Sequence, residues 1–274
     1  MLLSSEMPPH CWLRTKVVKI AAELASMNLR IHAFAGAIVW FAILPCGLSE
    51  LHAADRSETR KVFQFLRPSG SEFKKETEIH LRRSVDSFVV TSVTERGQQK
   101  LTVTSRFDSK DLLRSAEVTI QQGKHRQSAS VTVSDGTARV LRDGKEVDEL
   151  VCPRGVIVTS APDWTDSFMA VRRYDPNGKK TQAFPGLWIH PTGKPLELTI
   201  QLTHLGQDSV KHGSKTTNLD RYLLVLRGGS QYVVWRNPQG QLVRLVPAKS
   251  GRGGIVLAGW EQAIGNLKPP PTGN

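Results

Sequence analysis

His204, Asp208 and His212 flank and fill the stretch LGQDSVK, and two imidazoles with a carboxylate are what an acid–base or metal site needs. Read as a loop, this stretch would bring the three groups near one another, yet the spacing matches no tight zinc-ligand pattern. Asp163, Asp166 and Asp175, together with Glu76 and Glu78, offer carboxylate pairs of the kind glycosidases use, where separation in space decides the chemistry. A chain of 274 residues supplies such pairs by chance, and as capping or solvated groups they need no further role. Cys152, in ELVCPRG, would need a paired histidine and a positive setting to act as a nucleophile, whereas a lone buried thiol behaves as a small hydrophobe. No catalytic residue, metal ligand or cofactor is assigned on this basis.

The chain holds no GxxxxGK[ST], GxGxxG, HExxH or GxSxG, which removes the motif-level arguments for nucleotide binding, zinc proteolysis and α/β-hydrolase chemistry. What it does hold is large aromatic side chains on patterned strands. In SQYVVWRNPQGQLVRLVP, Tyr232 and Val234 face one way and Val233 and Trp235 the other, so both faces of the strand are apolar and both must be covered. NPQG supplies the turn: Pro238 presets φ, Asn237 bonds back to the backbone, and Gly240 tolerates the exit. Trp164, Phe168, Trp188, Tyr232 and Trp235 are the candidate lining of a ligand groove on a concave sheet.

The elements that would position these residues are mostly strands. Leu101, Val103 and Phe107 alternate with polar residues, as do Ala116, Val118 and Ile120, then Ala129, Val131 and Val133, then Leu196, Leu198, Ile200 and Leu202. Turn signals separate them, including SDGT and RDGK, whose Asp-Gly pairs favour tight hairpins. Short connections make sequential strands neighbours, so a meander is the economical topology. The pattern breaks once, at SAPDWTDSFMAVRRY from Ser160 to Tyr174. There Ser160 and Asp163 stand at capping-box-like spacing, and Trp164, Phe168 and Val171 share one face. The fold expected is mainly β: a single curved antiparallel sheet, half-barrel or open barrel, with one short helix packed on it.

Residues 27–54 read as a secretory signal: MNLRIH is short and basic, the stretch from Ala33 to Leu48 is apolar, and small residues stand at Ala53 and Ala54. The apolar stretch is shorter than the ~20 residues that span a bilayer. Residues 1–26, with Pro8, Pro9 and several charges, fit no signal and read as an upstream extension ahead of a true start at Met27. Residues 55–266 then form a single β-rich domain, and 267–274, LKPPPTGN, a disordered tail. With Cys11 and Cys46 removed, Cys152 cannot form an intramolecular disulfide, so the exported fold must hold by its core.

The formal net charge is +12, almost all of it after residue 54. The basic residues are dispersed, Arg82 and Arg83, Lys110 and Arg114, Arg172 and Arg173, Lys179 and Lys180, Arg227, Arg236, Arg244 and Arg252 among them, and not clustered with stacking aromatics as in nucleic-acid modules. No nucleic-acid partner is expected. An anionic envelope surface fits such a field better.

From about Pro195 to Trp260 the chain resembles periplasmic proteins of the lipoprotein-carrier-like type. The residues that carry the resemblance are Arg221 and Tyr222 opening a strand, Tyr232 to Trp235, the Gly240 turn, Leu242 to Leu245, and the closing Val256 and Leu257. The resemblance implies a half-barrel wrapped about a helix and the handling of a lipid or other amphipathic ligand. The expectation is a non-enzymatic exported envelope protein that binds an apolar or amphipathic ligand on a concave β surface. The alternatives are an exported hydrolase using His204, Asp208 and His212 or a carboxylate pair, and a structural module held to anionic envelope polymers.

Overall fold

The computed structural model describes residues 58–161 and 163–267, all within the unit His52–Asn274. The expected upstream extension, the signal segment and nearly all of the tail lie outside the described residues. Eight strands come first: β1 (Thr59–Ser69), β2 (Glu72–Arg83), β3 (Ser87–Arg96), β4 (Gln99–Asp108), β5 (Leu113–Gln122), β6 (His125–Ser134), β7 (Thr137–Arg142) and β8 (Lys145–Val151). After β9 (Ile157–Thr159) comes the helix α1 (Thr165–Arg173). Then follow β10 (Thr181–Trp188), β11 (Leu196–His212), β12 (Lys215–Val225), β13 (Gln231–Arg236), β14 (Leu242–Pro247) and β15 (Ile255–Leu257).

The strands form one sheet in the order β8-β7-β6-β5-β4-β3-β2-β1-β15-β14-β13-β12-β11-β10-β9. It is a meander of antiparallel pairs except at one margin, where β9 runs parallel to β10. Alternation on each strand explains the curl. Leu101, Val103, Ser105 and Phe107 on β4, Val118 and Ile120 on β5, and Ala129 and Val131 on β6 are buried on the concave side while their neighbours reach solvent. The expected Asp-Gly hairpins are present: Asp135 and Gly136, and Asp143 and Gly144, all have positive φ, as a type I′ turn requires.

Although β8 and β9 are separated by only five residues, they occupy opposite margins of the sheet. The margins are bridged by side chains and not by a ladder: Arg142 Nη2 on β7 donates to Gly193 O at 2.6 Å, and the Val151 amide donates to Glu197 Oε1 at 3.2 Å. The result is an open, barrel-like sheet with the helix enclosed.

The helix is shorter than the sequence suggests. Ser160 and Asp163 precede it in a turn closed by Asp163 N–H to Ser160 O at 2.8 Å, and the Asp163 carboxylate turns to Ser92 on β3. Trp164 occupies the N-cap position without a side-chain cap bond, so the capping box does not form. Nor is α1 amphipathic in use: every residue from Thr165 to Val171 is buried. Phe168 packs against Phe63 and Phe65 of β1, with ring centroids 5.0 and 6.2 Å away.

The two meanders are joined through β15, whose three residues pair with β1 on one side and β14 on the other. Gly254 makes that seam possible. A Cβ there would stand 1.8 Å from Leu245 O, and its φ is +75°. Gly97, in the β3–β4 turn, has φ +61° and open space around it. Gly97→Ala is expected to cost about 1–2 kcal/mol from backbone strain alone. Gly254→Ala should cost at least ~2 kcal/mol more, because the β14–β15 backbone must move. Equal shifts of the urea midpoint in the two variants would refute this account of the seam.

Candidate functional site

The N-terminal end of α1 opens into a cleft of about 470 Å³. The turn Thr159–Asp163 and the first residues of α1 form one wall, with Arg96 from the end of β3 beside them. Trp188, Leu198 and the segment Leu226–Tyr232 form the other. Its volume falls in the few-hundred-Å³ range of small-molecule sites.

Three of the five aromatics expected to line a groove meet here: Trp164, Trp188 and Tyr232. The other two do not. Phe168 lies on the inward turn of α1 against Phe63 and Phe65. Trp235 is fully buried, its Nε1 donating to Asp208 Oδ2 at 2.8 Å, because the apolar residues on both faces of β13 are covered. Both are core residues, and the candidate lining is corrected to the remaining three with Leu198 and Leu226.

Trp164 is fixed from three sides. Its Nε1 donates to Glu76 Oε1 at 3.1 Å, the Arg96 guanidinium lies 5.9 Å from its ring centre, and Tyr232 meets it edge to face at 5.8 Å. Glu76 is the anchor of the lip. It is the extra residue of a β-bulge, since Phe65 pairs with Thr77 and Leu66 with Lys75, and the bulge turns its carboxylate inward. There it accepts from Arg67 Nη2 at 2.7 Å and Arg96 Nε at 2.9 Å and is only 4% exposed. Burial works to raise its pKa, but the bonds from Arg67, Arg96 and Trp164 outweigh it and hold the carboxyl below the usual range.

The floor has the opposite electrostatics. Asp163 Oδ1 accepts from Ser92 Oγ at 2.6 Å, while Oδ2 has no hydrogen-bond partner among the described residues. Asp166 accepts from the Ser167 hydroxyl at 2.9 Å and the Thr159 hydroxyl at 3.2 Å. Neither has a cation within ion-pair distance among the described residues. Burial pushes both pKa values up, and for Asp166, with the charge of Asp163 added, to about 6. The buried Ser160 hydroxyl beside them is also unpartnered among the described residues. The arrangement can accept hydrogen bonds from a ligand, or hold and release a proton.

The grouping of His204, Asp208 and His212 is not formed. LGQDSVK is not a loop but the C-terminal half of the 17-residue strand β11, and at ~3.3 Å per residue the two imidazole-bearing positions are far apart. Each group is engaged elsewhere. Asp208 accepts from Arg221 and Trp235, His204 stands 3.6 Å from Asp220, and His212 stacks on Trp260 at 3.9 Å. Among the described residues no cluster of His, Cys, Asp and Glu could hold a metal ion. Cys152 is buried, and burial pushes its thiol pKa up, away from nucleophilic character. Arg96, like Thr159 and Ser230, is a polar lining residue that sequence reasoning missed. The only signal was an arginine at a strand end, which is common.

The floor gives a pH test. Because folding raises the Asp166 pKa from 3.8 to about 6, the folded form holds the proton more tightly, and stability falls as pH rises through that window. Asp166→Asn removes the charge and keeps the shape. The variant should equal or fall slightly below the parent at pH 4 and exceed it by about 2–3 kcal/mol above pH 6.5. Unfolding curves taken from pH 4 to 7.5 with a constant difference between the two proteins would contradict it.

No protein-family model matches the chain, and no curated protein matches it. Among solved structures, the chain is similar to a DUF1089 family protein from Pseudomonas aeruginosa, with 15% identity and a TM-score of 0.41 over 76% of this chain and 95% of that one. It is also similar to a β-barrel-like protein of domain of unknown function DUF1849 from Brucella abortus, with 12% identity and a TM-score of 0.46 over 72% of this chain and 95% of that one.

Proposed function

We propose that the protein is a non-enzymatic, exported envelope protein that holds an apolar or amphipathic ligand in the cleft at the N-terminal end of α1, as the resemblance to lipoprotein-carrier-like proteins implies. One observation carries the reading: Trp164, Trp188 and Tyr232, far apart in sequence, line a single cleft of about 470 Å³ in the mouth of a curled sheet. The rings and Leu198 suit an apolar body. The unpartnered Asp163 Oδ2 and Ser160 Oγ suit a polar end that donates hydrogen bonds, since an acceptor left buried without a partner costs ~1–3 kcal/mol.

A neutral naphthylamine probe should bind saturably to the purified protein, and lipid extracted from it should exceed that from a control protein of the same charge. Trp164→Ala and Tyr232→Ala are expected to weaken the probe about tenfold, the ~1.4 kcal/mol of one well-packed aromatic contact. Phe168→Ala and Trp235→Ala should lower stability instead, by about 3–5 kcal/mol. Absence of saturable binding, or unchanged affinity in both cleft variants, would end the carrier reading.

The exported-hydrolase reading is favoured by one observation, a carboxyl held at about 6 beside a second buried carboxyl in the same cleft. Turnover of an ester, glycoside or peptide panel is then expected to disappear in Asp166→Asn and to survive in a His204→Ala, His212→Ala double variant. No turnover by the parent protein would eliminate it.

A further inference from the structure

At the other end of α1 a second cleft, of about 260 Å³, opens between the helix C-terminus, the β2–β3 turn and the β4–β5 turn. Its floor is apolar, built from Leu81, Met169 and Phe88, and Phe88 is stacked flat on Phe107 at 4.6 Å. Its rim carries three arginines, Arg83, Arg172 and Arg173. Only one of them is matched. Arg173 Nη2 donates to Asp111 Oδ1 at 2.7 Å and Nη1 to Gly155 O at 2.6 Å. The other acid of the cleft, Asp108, is taken by Arg114 at 2.6 Å and by the amides of Lys110 and Leu112. Arg83 and Arg172 therefore face the same cleft with no carboxylate within ion-pair distance among the described residues.

Both are exposed at the rim, and two neighbouring cations there attract an anionic group that can lie between them. Partial burial of its stem and the nearby Arg83 charge both push the Arg172 pKa down, consistent with the two cations facing one another across the cleft. Beside them Val85 projects into solvent at 68% exposure, on the turn that forms the rim. An exposed valine next to two unmatched cations is of little use for a free inorganic anion. It is complementary to the boundary of an anionic bilayer, where phosphate meets acyl chain.

We propose that this end of the barrel docks on an anionic phospholipid surface, with a headgroup phosphate between Arg83 and Arg172 and Val85 entering the acyl boundary. This site is separate from the aromatic cleft and does not depend on what that cleft holds. The docking would place the barrel end-on to the membrane, with the aromatic cleft at the opposite end of α1.

The test uses the full chain and sedimentation with vesicles of phosphatidylglycerol and phosphatidylcholine at 30:70, against phosphatidylcholine alone. Every variant keeps the same N-terminal residues, so any contribution from them cancels. Arg83→Gln with Arg172→Gln should lower partitioning onto the anionic vesicles about thirtyfold, two cation–headgroup attractions being lost. Val85→Ser should lower it by a smaller factor that persists at high salt. The matched control, Arg106→Gln with Lys124→Gln, removes the same formal charge at exposed positions on β4 and the β5–β6 turn and should lower it only a fewfold. Unchanged melting curves in all variants establish that the fold is intact. Equal losses in the two double variants would mean a diffuse field and overturn the site. So would binding of inorganic phosphate, or of a single-stranded oligonucleotide, with the same dependence on Arg83 and Arg172 and no preference for vesicles.

Discussion

The enclosure of α1 is the constraint on which the rest of the molecule depends. A sheet of fifteen strands, twisted and curled by its own backbone, turns apolar side chains inward along its whole length and leaves a space that must be filled. Nine residues of helix, with Phe168 wedged against Phe63 and Phe65, do the filling. Burial of Thr165 to Val171 means that polar groups near the helix ends depend largely on partners within the protein. At the C-terminal end Tyr174 N–H closes back onto Ala170 O and Arg173 reaches Gly155 O. At the N-terminal end the partial positive charge of the helix falls beside Asp163 and Asp166, which stabilises their ionised forms but does not overcome the desolvation that pushes both pKa values up.

In and just behind this cleft stand two solutions to buried charge. At the lip Glu76 is matched by two guanidiniums and an indole N–H, so it stays ionised and fixes the position of Trp164. On the floor two carboxyls have hydroxyls for partners but no cation among the described residues, so burial pushes both pKa values up, that of Asp166 to about 6. The division follows from topology: the lip is made by the β2 bulge residue Glu76 with Arg67 and Arg96 near the ends of β1 and β3, whereas the floor is made by a turn and a helix start. A ligand entering between them would meet a rigid aromatic wall and a titratable base.

The alternation of β4 to β6 and the Asp-Gly turns made the meander legible, because a period of two with β-branched residues has one simple structural solution. The helix was legible for a similar reason, though its start was not: Ser160 and Asp163 have capping spacing but spend their groups on a turn and on Ser92. Of the aromatics, Trp235 could be misjudged because a strand covered on both faces and a strand facing a groove carry the same residues. Only the third dimension separates them. The histidines failed for a simpler reason, in that Gly206 and polar neighbours resemble a loop while forming a bulge within a long strand, where Leu205 is skipped between His204 and Gly206. Glu76 is the matching case, since an inward-turned bulge residue breaks the parity on which strand reading rests.

The charge distribution has a structural explanation as well. Several exposed arginines of the outer wall have a carboxylate beside them, Arg60 and Arg82 sharing Glu58, Arg126 beside Glu117 and Arg139 beside Glu149, and such exposed pairs add at most ~1 kcal/mol each. What they do is cancel the field locally, so that an excess of positive charge is felt where pairing is missing and not evenly over the surface. Arg83 and Arg172 lie at such a place, brought to one cleft by the β2–β3 turn and the C-terminal end of α1. The sheet thus sorts its cations into those with carboxylate neighbours and those without, and among the latter Arg83 and Arg172 share a cleft with an apolar floor.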